Sequence, residues 1–239
     1  MTVRSISSSS KGNAYLVESG GSAVLIDCGV PYKAIAGYSF DAVLVTHNHT
    51  DHVCGLKTLL KKRKVPVFAN LMTAETTVVQ EGLDSDAFVC FENGQCFDIG
   101  PFTVRPFSIP HDTPDPVGYL VSAGGITYFH GTDIGSPLDS IGVKLAEADI
   151  ATLESNHDDM LLRECRRPAC VKQRIAGPRG HLSNFEAAEL VRRFASPRLR
   201  RLSLAHLSRE CNTPYLAERM MRETLADMGR TDVVLDILY

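Results

Sequence analysis

No stretch of this 239-residue chain approaches the ~18 consecutive apolar residues that a membrane-spanning helix requires. The opening run, Met1-Thr2-Val3-Arg4-Ser5-Ile6-Ser7-Ser8-Ser9-Ser10, lacks the apolar core of a signal peptide. A cytoplasmic protein with no membrane partner is therefore expected. Paired cysteine spacings are missing too. The seven cysteines, at 28, 54, 90, 96, 165, 170 and 211, are odd in number and include no Cys-x-x-Cys, which suits reduced thiols better than a disulfide framework. Cys165 and Cys170 have no matching pair to complete a structural zinc site. Low-complexity linkers, residue-level repeats and convincing boundaries are also absent, so residues 1–239 read as one domain.

What is present is ordinary for a globular chain, with 44% hydrophobic and 22% charged residues. The formal net charge of −3 hides an asymmetry. Residues 160–210 hold twelve basic side chains against four acidic ones, so that segment carries a surplus of eight positive charges and the remainder is acidic. Such segregation can give an acidic protein a basic face that steers a polyanion. Solvated helix faces explain it equally well.

Residues 13–18 and 22–27 read as strands joined by Ser19-Gly20-Gly21, a hairpin signal. The apolar run 41–45 reads as a fully buried strand. A helix over 52–63 follows, its basic end Lys61-Lys62-Arg63-Lys64 complementing the helix dipole. Next come a strand at 65–69, a helix at 73–80 and a strand-rich stretch from 88 to 131 that ends in a hairpin, 117–122 with 126–130. Beyond Asp133 the pattern alternates: helix 138–147, strand 149–153, helices 159–164, 169–175 and 184–195, strand 200–205, helix 213–228 and strand 232–238. Strands first and alternation afterwards predict two sheets packed face to face with helices outside, a four-layer αββα sandwich of the α/β class.

The densest chemistry lies in Thr46-His47-Asn48-His49-Thr50-Asp51-His52. Residues two apart on a strand share a face, so His47 and His49 can aim at one point as the strand ends. If the following turn folds back, Asp51 and His52 join them in an N/N/O/N set suited to Zn, Mn or Fe. Four later positions also put ligand types at strand ends or on a free loop: His111, Asp133, His181 and His206. Ser183 is a good N-cap for the helix after His181. His130, between an aromatic residue and Gly131, reads as structural.

The chain resembles the metallo-β-lactamase-fold hydrolases, and among them the YycJ (WalJ/VicX) group of bacterial proteins. The landmarks are Ser-Ser-Lys-Gly-Asn at 9–13, Leu-Ile-Asp-Cys-Gly at 25–29, Thr-His-x-His-x-Asp-His at 46–52, Pro-His-Asp at 110–112, Pro-Val-Gly-Tyr at 116–119, Gly-Thr-Asp-Ile-Gly at 131–135, Glu-Ser-Asn-His-Asp at 154–158, Gly-His-Leu-Ser-Asn at 180–184 and Ala-His-Leu-Ser at 205–208. They span essentially the whole chain. The resemblance implies two divalent ions, one held by His47, His49 and His111, the other by Asp51, His52 and His206, with Asp133 bridging. It implies catalytic roles for Asp51 and for His181, the latter as a proton donor or a stabiliser of transition-state charge. Glu154, His157 and Asp158 are then candidates to orient His181 or a ligand, and Arg179, Asn184 and Arg209 to contact substrate. Asn48 and Thr50 replace the Glu and Ser usual in relatives, at positions that do not coordinate metal. Residues 30–40 form a shorter connection than the group usually has, which bears on the first outer helix and its substrate contacts.

The function implied is a binuclear hydrolase using a metal-bridging hydroxide, a phosphodiesterase acting on nucleic acid, with DNA favoured and cleavage from strand ends. The first alternative is hydrolysis of a small ester, thioester, lactone or cyclic phosphodiester. The second is a metal-bound regulatory module without catalysis, which the complete ligand set disfavours. Steep loss of binding with added salt separates the nuclease from the small-substrate enzyme.

Overall fold

Apolar runs form strands wherever both faces are covered, and the computed structural model, which describes residues 1–238, divides them between two units. The first comprises residues 1–108 and 113–125, the second 109–112 and 126 onward. In the first, β1 (Thr2–Ser9), β2 (Gly12–Ser19) and β3 (Ser22–Ile26) are antiparallel neighbours. The one-turn helix α1 (Tyr32–Ile35) is all that the short 30–40 connection accommodates. Next, β4 (Ala42–Leu44) pairs in parallel with β3 and is buried at every residue, as its unbroken apolar sequence requires of a central parallel strand.

The helix expected over 52–63 is two: α2 (Thr50–Val53) and α3 (Leu56–Lys62). The break falls at Gly55, whose N–H goes to the Cys28 carbonyl and whose added Cβ would lie 2.2 Å from the Val30 carbonyl oxygen. The parallel ladder continues through β5 (Val67–Asn70), and α4 (Leu71–Glu81) is capped by Asn70 accepting from the Thr73 N–H. A short 3₁₀ turn, Ser85–Ala87, leads to β6 (Phe88–Phe91), which completes the order β1-β2-β3-β4-β5-β6. This unit also contains an antiparallel set, β7 (Phe97–Ile99), β8 (Phe102–Ser108) and β9 (Val117–Ala123).

The second unit is a parallel ladder with helices between its strands. β10 (Ile126–Gly131) is followed by α5 (Asp139–Leu145), then β11 (Ile150–Glu154), α6 (Asp159–Glu164), α7 (Ala169–Ile175), α8 (Asn184–Phe194), β12 (Arg201–Ala205), α9 (Pro214–Asp227) and β13 (Val234–Ile237). The Ser183 cap is part of a full capping box with Glu186. In register, Gly131 lies beside Leu153 and Glu154 beside Ala205, so three neighbouring strands end together. Among the described residues no helix is long and apolar enough to cross a membrane.

Candidate metal centre

Each unit gathers ligand types at the ends of its parallel strands. In the first, β4 ends at Leu44 and the chain delivers His47, His49, Asp51 and His52 within one turn of α2. The His47 ring lies 4.7 Å from that of His49 and 4.0 Å from that of His52, centroid to centroid. His47 and His52 are buried, His49 and Asp51 half-buried. His52 is held from behind by Asp27, whose Oδ2 lies 2.7 Å from its Nδ1 and which also accepts the Thr46 N–H at 2.8 Å. An ionised carboxylate can only accept, so Nδ1 carries the hydrogen and the lone pair of the neutral ring sits on Nε2. Asp27 adopts φ 59°, a left-handed conformation that aims its carboxylate back into the turn.

The Asn13 amide tests whether a cation fits here. Its Nδ2 lies within 3.4 Å of four acceptors: the Ser9 carbonyl, the Asp51 carbonyl, Asp51 Oδ2 and His52 Nε2. It has two hydrogens to offer, so lone pairs are in surplus around this point. Imidazoles and a carboxylate with that surplus fit a divalent ion.

The second unit builds a further cluster. Ligand atoms of Asp133, Glu154, His181 and His206 all lie within 4.8 Å of one another. Glu154, fully buried at the end of β11, presents Oε1 to Nδ1 of both His181 and His206 at 2.9 Å each. Its Oε2 accepts the N–H groups of Ile134 at 2.8 Å and Leu182 at 3.2 Å. Burial works to raise this carboxyl, but the charge of His181 and the hydrogen bonds from His181 and His206 outweigh it and hold the group at about 2. Both imidazoles therefore carry hydrogen at Nδ1, and in His206 the neutral ring leaves its lone pair on Nε2. His111 follows the same logic with a different partner, since its Nδ1 faces the Gly180 carbonyl at 3.0 Å, an acceptor only. Burial depresses the His111 imidazole below its usual range, with Asp133 opposing, which favours the neutral ligand form. Asp133 Oδ1 stands 3.7, 3.6 and 3.5 Å from nitrogens of His111, His181 and His206. Two imidazoles, His111 and His206, fixed by Nδ1 beside Asp133 are a donor set that fits metal, and His181 stands at their edge.

The remaining expected site residues fall into different surroundings. His157 is buried, its imidazole depressed by burial, and its carbonyl accepts the Asn184 N–H. Asp158 caps α6 by accepting from Met160 and Leu161. Asn184, expected at the substrate, has its amide buried among Ser155 and Asn212: the Ser155 hydroxyl donates to its Oδ1 at 2.6 Å and its Nδ2 donates to Asn212 Oδ1 at 2.9 Å. Arg179 and Arg209 are exposed. Of the basic segment, Arg192, Arg193, Arg198 and Arg201 pair with carboxylates on or beside α8 and β12. Arg163, Arg166 and Arg179 have no carboxylate partner among the described residues.

Sequence reasoning assigned no role to Asn13, Asp27 or Asn212. The first two sit in landmark segments, and Asp27 carried a usable signal: a lone charge ending the apolar run Ala23-Val24-Leu25-Ile26. Asn212 had none, because its partners, the Ser155 and Asn156 carbonyls and Asn184 Oδ1, lie far away in sequence.

A family model, the beta-lactamase superfamily domain, matches residues 24–207. The chain is 31% identical over 238 residues to the exodeoxyribonuclease WalJ of Streptococcus pneumoniae, covering 94% of this chain and 88% of that protein. It is 30% identical over 234 residues to the exodeoxyribonuclease YycJ of Bacillus anthracis, covering 94% and 89%. Among solved structures, the metallo-beta-lactamase fold protein YhfI of Bacillus subtilis superposes with a TM-score of 0.76 at 20% identity over 98% of this chain and 95% of that one. The chain belongs to the beta-lactamase superfamily. Its fold is the metallo-β-lactamase fold, α/β with mixed sheets and helices, and with the His and Asp clusters it points to divalent metal binding.

Proposed function

We propose that this protein is a metal-dependent phosphodiesterase that degrades DNA from strand ends, with two divalent ions, Zn, Mn or Fe, as cofactors. The observation that carries this reading is the shared carboxylate: Glu154 holds His181 and His206 through Nδ1 at 2.9 Å each. That clamp makes His181, whose side chain keeps 18% exposure, a fixed donor at the edge of a metal-type cluster. The names of the two relatives matched over nearly the whole chain favour DNA as the substrate.

In this reading His47, His49 and His111 serve one ion, Asp51, His52 and His206 the other, and Asp133 both. The ions, when bound, would supply acidified water and positive charge to the scissile phosphate. Asp27, Gly180 and Glu154 keep the ligand tautomers fixed. His181 carries a proton at Nε2 toward the leaving oxygen while Nδ1–H stays on Glu154. Arg163, Arg166, Arg179 and Arg209 are exposed cations for phosphates, whereas the buried amide of Asn184 supports the loop. The two units work as one domain, in the cytoplasm.

The test is Mn²⁺- or Zn²⁺-dependent release of label from 5′- and 3′-end-labelled duplex DNA by purified protein. His181→Ala is expected to lower kcat by about 10²-fold or more with metal content unchanged. Failure to cleave any DNA or RNA end structure with any of these ions overturns the reading, and cleavage of small esters alone replaces it.

A further inference from the structure

Two thiols in the second unit meet away from the ligand cluster. Cys165 follows the last residue of α6 and is half-buried, while Cys211 is fully buried in the loop before α9. Both belong to a small apolar cluster with Leu162, Val171 and Ile175. Cys165 packs against the cluster that holds Cys211, and its Sγ lies 3.3 Å from the Leu162 carbonyl oxygen. The two segments are laced on either side of this contact. Asp158 N–H donates to the Cys211 carbonyl at 2.8 Å, and Arg167 Nε lies 2.9 Å from Glu210 Oε2.

We propose that Cys165 and Cys211 form a peroxide-reactive modification site, with Cys165 the attacking thiol and Cys211 the resolving one. The assignment of roles follows from their surroundings. Around Cys165, a burial effect acts upward, but the Arg167 N–H, the Cys211 S–H and the charges of Lys172 and Arg167 outweigh it and hold the thiol below its usual range. Burial, and then the neighbouring Cys165, push the Cys211 thiol up to about 11. The half-exposed sulfur is thus the one more readily ionised and reached by peroxide, and the buried one keeps its proton.

The chemistry balances with hydrogen peroxide as oxidant. The Cys165 thiolate attacks one peroxide oxygen, the O–O bond breaks, and the second oxygen leaves as hydroxide and takes up a proton to become water. Cys211 then attacks the sulfenic sulfur; the S–S bond forms, and hydroxide leaves with the Cys211 proton as a second water. Two thiols and one peroxide give one disulfide and two waters. The new bond ties the end of α6 to the loop leaving His206, a constraint that no hydrolytic step requires.

Trypsin separates the three relevant cysteines: Cys165 falls in residues 164–166, Cys170 in 167–172 and Cys211 in 210–219. Reduced full-length protein at pH 7 is treated with one equivalent of hydrogen peroxide, quenched with an alkylating agent and mapped without reduction. The expected product is 164–166 joined to 210–219, two hydrogens lighter than the separate peptides and released by dithiothreitol. Cys165 is expected to react about ten-fold faster than exposed Cys170 in the same molecules. In Cys211→Ala a dimedone adduct should accumulate on Cys165, and in Cys165→Ser the 210–219 thiol should survive. Equal reactivity of Cys165 and Cys170, or a disulfide joining any other pair, overturns the proposal. The wild-type map alone decides this even if either variant folds poorly, and it reads nothing from hydrolysis.

Discussion

The two units carry the same strand-end device and put it to different use. Asp27 and Asp133 both follow a parallel strand at φ 59°, and in both a glycine stands two residues on. A Cβ on Gly29 would lie 1.6 Å from the Asp51 carbonyl oxygen, and one on Gly135 2.5 Å from Arg179 Cα. Each glycine therefore lets a site-bearing loop come against the turn. In the first unit the strand-end aspartate is the support, because the histidines are crowded in the next turn and Asp27 reaches His52 directly. In the second the histidines are dispersed over three loops. Asp133 stands among them, and the supporting role passes to Glu154 on the neighbouring strand, which serves two rings at once. One backbone geometry thus yields a support in one unit and a candidate ligand in the other, according to where the histidines lie in the sequence.

Substitutions can break this comparison, and the largest effect belongs to Gly29→Ala. Its methyl would overlap backbone, which cannot rotate away, so a loss of more than about 4 kcal/mol is expected. Gly135→Ala, with a looser clash, should cost less in a urea melt. Equal costs would mean that the closer approach at Gly29 does not decide how tightly the turn is bound to its loop. Glu154→Gln comes next. The amide offers two hydrogens where four donors converge, so His181 and His206 lose their tautomer control together. A fall in turnover of about 10²–10³-fold, with lower metal content by elemental analysis, is expected. Asp27→Asn disturbs one ring and should cost about 10–100-fold. If Asp27→Asn proves the more damaging, the shared-support account of Glu154 fails.

Legibility followed the distance between partners. His47, His49, Asp51 and His52 announce themselves because their spacing alone brings ligand types to one turn. Of the supports, Glu154 is legible only through the family resemblance and Asp27 not at all, since Asp27 lies 25 residues from His52, and Glu154 27 from His181 and 52 from His206. The β3–β4 register closes the first gap, and the register that sets Glu154 beside Ala205 closes the last. β1 escaped notice because Ser5-Ile6-Ser7-Ser8-Ser9 has no apolar alternation; its pairing with β2 makes it a strand. Helix and strand positions in the second half were legible throughout, because βα alternation repeats a long-period signal there. Asp-x-Gly stands in the sequence at 27–29 and 133–135, but only the backbone angles show that both turns share one conformation.

The same correspondence continues at the opposite ends of the strands, where it gives the smallest and sharpest test. Asp41 exchanges hydrogen bonds with Ala23, its N–H to the Ala23 carbonyl at 2.8 Å and its Oδ2 from the Ala23 N–H at 3.1 Å. Asp149 does the same with Thr127, at 2.8 and 2.9 Å, and also accepts from Arg198 at 2.9 Å. Burial works to raise the Asp149 carboxyl, and the Arg198 and Thr127 donors outweigh it, so it lies below the usual carboxylate range. A carboxyl depressed in the folded state stabilises the fold above its unfolded value of about 3.9 and loses that contribution as pH falls through the folded value. Asp149→Asn should therefore cost about 1 kcal/mol at neutral pH, kept modest by the half-exposed Arg198, and nothing at the acid end of the curve. Asp41→Asn, lacking the arginine, should cost less at neutral pH. Urea melts of both variants and wild type from pH 7 downward would show the Asp149→Asn and wild-type curves converging below pH ~4; parallel curves would mean that the third donor adds nothing to the pair the two units share.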